Sequence, residues 1–571
     1  MAAFQNSIRP LWLITAIWLF AAGARAAPQA ADAPQTISGG AYRIAGTVVS
    51  KVDAHPLARA RITVRDAKDP QKLDSVITAE DGRFEFTRLP AGKYSLTGAK
   101  RGFISASYDQ HEQFSTAIVT GVGLDTETLV LRLAPDAVIA GKVLDEVGDP
   151  VRHASVQLYY DDHSRGVDEI HQSRGAQTDD QGAFEITPLR PGTYFLSASA
   201  TPWYAVHPRL EAVRSKPVSS EAANSEPSNS EPEERPAPAI DRSLDVAYPV
   251  TYYPDVTDTD SATPIPIRGG ERVQIDIHLS PVPAIHLFFR VQGNGSNGYT
   301  FPQLEQPAFD GSTSVRSSGG SMISPGVMEI TGIPAGHYNV RFPGSGQNGQ
   351  INGIDLTKDG EEIEASASES LSTVKVSVKV QDEALPSGLM VGLRSGRRVS
   401  GWRPVDAKGE AELEQVAPGR YDVVVQGSSK RYSIAHMSAN GADAADHTLT
   451  VAAGSSPSIV LTLIGGSVEL QGTVKHEGEP FAGAMVVLVP KNPEMNRDLF
   501  RRDQSDLDGT FTLHGVVPGT YTVVAIDNGW DLDWAQPNVI EAYLKRGRVV
   551  QIGSQSGRHS EMGEPIELQS R

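Results

Sequence analysis

No cysteine occurs anywhere in the 571 residues. That absence excludes a disulfide framework, thiolate metal sites and a lipid-modified cysteine behind a leader, so packed cores must carry the stability. Basic charge is also scarce: 51 Lys and Arg stand against 69 Asp and Glu, a formal net charge of −18. Nucleic acid and anionic membrane surfaces need a basic footprint, so neither is expected as a partner. Long apolar runs are missing after the first residues. The best later stretch, Ser458 to Gly465, falls short of the roughly 18 to 20 residues a membrane helix needs, and a soluble mature chain is expected.

The exception stands at the start. Arg9 is followed by an apolar run from Leu11 to Ala22 and then by Ala24 and Ala26, small residues spaced as at a cleavage site. This is the pattern of a secretory signal peptide. Residues 1–26 are therefore expected to be removed after Ala26, which places the protein in the periplasm or outside the cell. With 39% hydrophobic residues there is material for several cores, and the length suggests about four or five domains.

What the chain has in place of catalytic motifs is repetition. The stretch DGRFEFTRLPAGKYSL at 81–96 recurs in outline four more times. One glycine appears as Gly82, Gly182, Gly326, Gly409 and Gly509, and a second follows ten residues later as Gly92, Gly192, Gly336, Gly419 and Gly519. Two places further on stands Tyr94, Tyr194, Tyr338, Tyr421 or Tyr521. Between the glycines apolar residues alternate, as in Phe84 with Phe86 and Phe511 with Leu513, which is strand periodicity. We read each copy as a β-hairpin, with a tyrosine pinned at the second corner by its buried ring and a hydroxyl bond to backbone. Three copies also keep an opening strand around Gly46, Gly141 and Gly472. About seven short strands per unit predict an all-β tandem array of about five antiparallel sandwiches with few short helices, one near 496–502 and one near 539–545.

The runs GKVLDEVGDPVRHASVQL, TDDQGAFEITPLRPGTYFLSA and YPVTYYPDVTD resemble the carboxypeptidase regulatory-like domains. That resemblance implies a transthyretin-like, carbohydrate-binding-like sandwich and a tandem array in a secreted or envelope protein. It implies no peptidase activity, because the catalytic domain that such modules accompany is absent. The resemblance covers units at 41–135, 136–281 and 466–571; units at 282–369 and 370–465 keep only the repeated signature. Residues 215–239, rich in Ser, Pro and Glu, are expected to form a disordered insertion within the second unit.

Several motifs invite a chemical reading. GNGSNG at 293–298 and GSGQNG at 344–349 fit a dinucleotide fingerprint, but neither is followed by a helix that could meet a pyrophosphate, so they are turns and no cofactor is expected. His476 and Glu479 stand in the turn of an opening hairpin with no third zinc ligand in view. The loop YYDDHSRGVDEIHQ gathers Asp161, Asp162, His163, Asp168, Glu169 and His171, which could hold a divalent ion. Aromatic residues outside the repeat follow the second and fifth copies at one loop position: Trp203 and Tyr204, then Trp530 and Trp534 with Asp531 and Asp533 beside them. Flat rings next to carboxylates suit the apolar face and hydroxyls of a sugar, while rings in that place also serve to cap an open sandwich end.

Three functions follow. A non-catalytic binding protein would use the aromatic loops on a polysaccharide or cell-envelope component. A structural or adhesive envelope scaffold would form a stiff, elongated spacer that meets a protein partner. A hydrolase would rest on the acid-rich loops alone. The oligomeric state is not legible.

Overall fold

The computed structural model describes residues 37–571 except 38, 122, 208–241, 291–300, 325, 343–348, 365–371, 382, 396–397, 428–431, 445–446 and 554–558. The expected leader at 1–26, the insertion at 215–239 and the glycine motif at 293–298 lie outside the described residues, as does 344–349 except for its last glycine.

The chain is an all-β array of sandwiches. Each unit opens with one strand: Tyr42–Ser50, Ala137–Leu144, Val282–Arg290, Ser372–Val380 and Val468–His476. Each of these pairs antiparallel with the strand that follows the first repeated glycine, and the register is the same throughout. Ile44 faces Phe86, Ile139 faces Ile186, Leu287 faces Ile330, Val374 faces Leu413 and Leu470 faces Leu513. A one-residue slip would turn those apolar faces to water, which is why the register is held even in the third and fourth units, where the sequence has drifted. On its other side the opening strand takes a parallel partner from the end of the unit, such as Leu129–Leu133 in the first and Ser458–Gly465 in the fourth. Five separate cores result, built around Ile44 and Leu131, Ile139 and Leu158, Leu287 and Phe289, Val376 and Leu461, and Leu470 and Val523.

The repeated segment is not the hairpin expected from its sequence. Arg83–Leu89 joins the sheet of Tyr42–Ser50, whereas Gly92–Ala99 pairs with Arg61–Asp66 in the facing sheet. The chain crosses between layers at Pro90 and Ala91. Two strands paired directly would show their apolar residues on one uncovered face; sending them to opposite layers lets each cover the other. The tyrosine fixes the corner as expected. Tyr94 Oη donates to the Pro90 carbonyl at 2.9 Å, and Tyr194, Tyr421 and Tyr521 repeat the bond to Arg190, Ala417 and Val517 at 2.9 Å. Tyr338 does so to Pro334 at 2.5 Å. Gly82 has φ +72° and a Cβ there would stand 2.7 Å from the Val48 carbonyl; Gly182, Gly409 and Gly509 meet the opening strand in the same way. Left-handed backbone pressed against a strand leaves room only for glycine.

Two departures matter for function. Val246–Ala247, which the sequence places in the second unit, pairs with Val282 and Pro283 of the third. In the fifth unit Ile566–Gln569 bonds both to the opening strand and to Gly519–Ile526, which joins the two layers along one edge. Helices are few among the described residues, as expected: the α-helix Pro537–Leu544 and single turns at Arg242–Leu244, Thr259–Ser261, Arg497–Leu499 and Gly529–Asp531.

Candidate functional site: two aromatic loops

After the strand Gly519–Ile526, Asn528 turns left-handed at φ 47° and the chain makes a short turn at Gly529–Asp531. This brings Trp534 down onto the outer face of the sheet, where it is 8% exposed and packs with Val487, Val489, Phe500, Val524 and Ile540. Trp530 lies against the first unit, stacked on the His111 ring at 4.9 Å and 4° and tilted against Phe114 at 5.8 Å. Between the rings runs the Arg502 side chain, 3% exposed, its guanidinium 4.3 Å from the Trp534 centroid and 5.2 Å from that of Phe114. It pairs with Glu112 of the first unit at 2.5 Å and donates to the Ser164 carbonyl of the second at 2.9 Å. The Ala535 amide donates to the Gly166 carbonyl at 3.1 Å, and a Cβ on Gly166 would stand 2.6 Å from the Trp534 ring.

Trp530 and Trp534 are therefore not an open sugar platform, as their sequence suggested, nor the cap of a free sandwich end. They form the meeting point of the first, second and fifth units. Asp531 pairs with Arg571 at 2.7 Å, and Asp533 accepts a hydrogen bond from Gln536 at 3.0 Å.

The contact between the first and fifth units extends further. Lys93 Nζ lies 2.5 Å from Asp506, whose other oxygen accepts from the Ala117 amide at 2.9 Å. Gln504 donates to the Asp109 carbonyl at 2.6 Å and to Thr116 at 2.8 Å, and the Leu507 amide bonds the Ala117 carbonyl at 3.0 Å. Burial pushes the Asp506 carboxyl above the ordinary aspartate value against the pull of Lys93. Burial likewise raises Asp503 to about 6, although it accepts the Thr512 amide. The first and fifth units thus meet, where the scaffold reading expected an elongated spacer.

The matching loop of the second unit is the opposite case. Trp203 is 87% exposed, with the Tyr204 ring at its edge, 5.9 Å away and at 89°. The loop is nonetheless pinned: the Tyr204 hydroxyl donates to one oxygen of Glu146, and Tyr248 donates to the other at 2.9 Å. Burial works against the Glu146 carboxylate, but the Tyr204 hydroxyl, its own backbone amide and the Tyr248 hydroxyl together outweigh it and hold it below the usual glutamate range. Burial, then the bond to Glu146, raises Tyr204 to about 12. Val147, 76% exposed, and Val206, 42% exposed, belong to the same segments.

The acid-rich loop divides. Asp161, His163 and Asp168 each bring a ligand atom within 4.8 Å of the others, and these three could hold a cation. His163 Nδ1 lies 2.5 Å from Asp168 and 3.5 Å from Asp533 of the fifth unit. Asp162, Glu169 and His171 do not join them. Asp162 accepts from the Ser164 amide, and Glu169 pairs with His171 at 3.1 Å and Arg165 at 3.3 Å. Burial, with Asp533 and Asp161 nearby, raises Asp168 despite His163.

Arg502, Glu112, His111, Glu146 and Tyr248 escaped the sequence reading. A signal for the first existed: the strand MVVLVP at Met485–Pro490 has no polar alternation and is buried at every residue. A sandwich strand without a wet face must be covered on its outside too.

Residues 43–128 and 138–218 each match the family described as carboxypeptidase regulatory-like domain, so the chain carries this domain in tandem. No curated protein matches the chain. Among solved structures, the minor pilin of Streptococcus agalactiae aligns at 13% identity and a TM-score of 0.21 over 43% of this chain and 97% of its own. The Bacillus anthracis TIE protein aligns at 10% identity and 0.16, covering 74% of each chain. Two B repeat units of the Staphylococcus aureus collagen binding protein align at 10% and 0.12, over 74% of this chain and 99% of theirs. No helix among the described residues is long and apolar enough to cross a membrane.

Proposed function

With carboxypeptidase regulatory-like domains as its first two units, we propose that the chain is a non-catalytic binding protein that acts outside the cytoplasm, released from a leader cut after Ala26. Its binding element is the Trp203 loop of the second unit. The single observation behind this is the Trp203 ring, 87% exposed on a loop whose neighbour Tyr204 is anchored to Glu146. Exposing a tryptophan forfeits roughly 2 kcal/mol of burial, and anchoring its loop lowers the entropy cost of binding a partner. A ring edged by a second aromatic fits the apolar face of a sugar, and we take a polysaccharide of the cell envelope as the ligand class.

The second reading is a structural or adhesive scaffold that engages a protein partner. It is favoured by the interlocking of the first, second and fifth units through Arg502, Glu112 and Ser164, which makes a rigid body of the kind a scaffold needs.

The test is retention of residues 27–571 on insoluble polysaccharides and on isolated cell envelopes, for wild type and Trp203→Ala. We expect retention on one polysaccharide, release by its soluble oligomer, and loss in the variant. Retention on envelopes alone, unchanged by soluble sugars, moves the function to the scaffold reading. A folded Trp203→Ala protein that binds the polysaccharide like wild type ends the assignment of this loop.

A further inference from the structure

The joint between the second and third units carries a line of buried ionisable groups that no binding role requires. His286, on the opening strand of the third unit, has a side chain that is 0% exposed. Its Nδ1 lies 3.0 Å from Glu329, also 0% exposed, and its Nε2 lies 2.9 Å from Asp245. The other oxygen of Asp245 faces Nδ1 of His207 at 2.7 Å, and the His207 side chain is 9% exposed. Asp245 comes from the second unit's part of the sequence, directly before the Val246–Ala247 pairing, and its carbonyl accepts from the Ala284 amide at 2.9 Å. Asp359 completes the surroundings, accepting from the His286 amide at 2.9 Å.

Counting hydrogens exposes a shortage. Three ring nitrogens face carboxylate oxygens, and each such contact is attractive only if a proton lies between them. A neutral imidazole donates through one nitrogen, so two neutral rings supply two hydrogens for three contacts. A lone pair of His286 would then point at a buried carboxylate at no more than 3.0 Å, which a buried site tolerates poorly. We propose that the joint holds one additional proton, with His286 an imidazolium clamped between Asp245 and Glu329, and that its loss loosens the seam where Val246–Ala247 pairs with the opening strand of the third unit.

The environment agrees with the geometry. Burial pushes the His286 ring down, but the bonds to Glu329 and Asp245 and the charge of Asp359 outweigh it and hold the ring above the ordinary histidine value. A group whose folded value is raised contributes stability fully below its unfolded value, about 6.5, and loses it as pH rises through the folded value. The joint is therefore tight in acid and loosens toward alkaline pH.

Amide hydrogen exchange of residues 282–290 in the whole protein, corrected for intrinsic pH dependence, tests this against Glu329→Gln. A glutamine amide can donate to Nδ1 of a neutral ring, which removes the need for the extra proton. Between pH 6 and 9 we expect protection to fall about tenfold in wild type and less than about twofold in the variant. Unchanged protection in wild type, or an equal fall in both proteins, overturns the proposal. Should Glu329→Gln fail to fold, NMR of wild type labelled at the histidine ring decides: a buried histidine that titrates above the ordinary histidine value supports the proposal, and the lack of one refutes it.

Discussion

The second and fifth units place aromatic residues at the same point, just past the strand led by Tyr194 or Tyr521, and then treat them in opposite ways. Trp203 stands in solvent on a pinned loop, whereas Trp534 lies under the first and second units with Arg502 across its face. The difference does not come from the rings. It comes from what the sheet beneath offers: in the fifth unit both faces of Met485–Pro490 are apolar and demand a cover. One loop is thus an interface between units, and its counterpart stands in solvent.

This contrast can be broken experimentally, beginning with the largest effect. Replacing Arg502 by alanine strands Glu112 and opens the space between three rings. We expect a loss of about 3 kcal/mol in chemical denaturation, with increased amide exchange in residues 109–117 and 530–535. Trp534→Ala should cost about 3 kcal/mol by leaving a cavity over Val487 and Val524. Lys93→Met removes the counter-charge of the half-buried Asp506 and should cost about 1 to 2 kcal/mol at neutral pH. Because the Asp506 carboxyl is already raised, protonation favours the folded form. The Lys93→Met deficit should accordingly shrink as pH falls through that raised value toward about 4, and denaturation at pH 7 and pH 5 would reveal it. Trp203→Ala, in contrast, should leave stability within about 0.5 kcal/mol of wild type while removing binding. Equal losses for Trp203→Ala and Trp534→Ala would erase the distinction between the loops.

How much of this could be read beforehand depended on sequence distance. The tyrosine corner and the left-handed glycines were legible, because the bond of Tyr94 to Pro90 recurs five times and the approach of Gly82 to Val48 four times. The layer each strand joins was not, since Arg83–Leu89 and Gly92–Ala99 look like a hairpin until the facing sheet is known. The first and fifth units meet through pairs such as Glu112 with Arg502, separated by 390 residues. No periodicity carries that information. For the same reason the acids beside Trp530 looked like ligand-binding groups, while Asp531 is engaged by Arg571. The cation-ligand set likewise kept Asp161, His163 and Asp168 and lost Asp162, Glu169 and His171, because partner choice in a loop is settled by its neighbours in space.

The most direct test is oxidative footprinting of the native protein with per-tryptophan mass spectrometry. The structure predicts that Trp203 is modified at least about tenfold faster than Trp534, with Trp530 also protected until the fifth unit is released from the first. Trp530 and Trp534 reacting as fast as Trp203 would contradict it, returning the fifth loop to solvent and separating the two ends of the array.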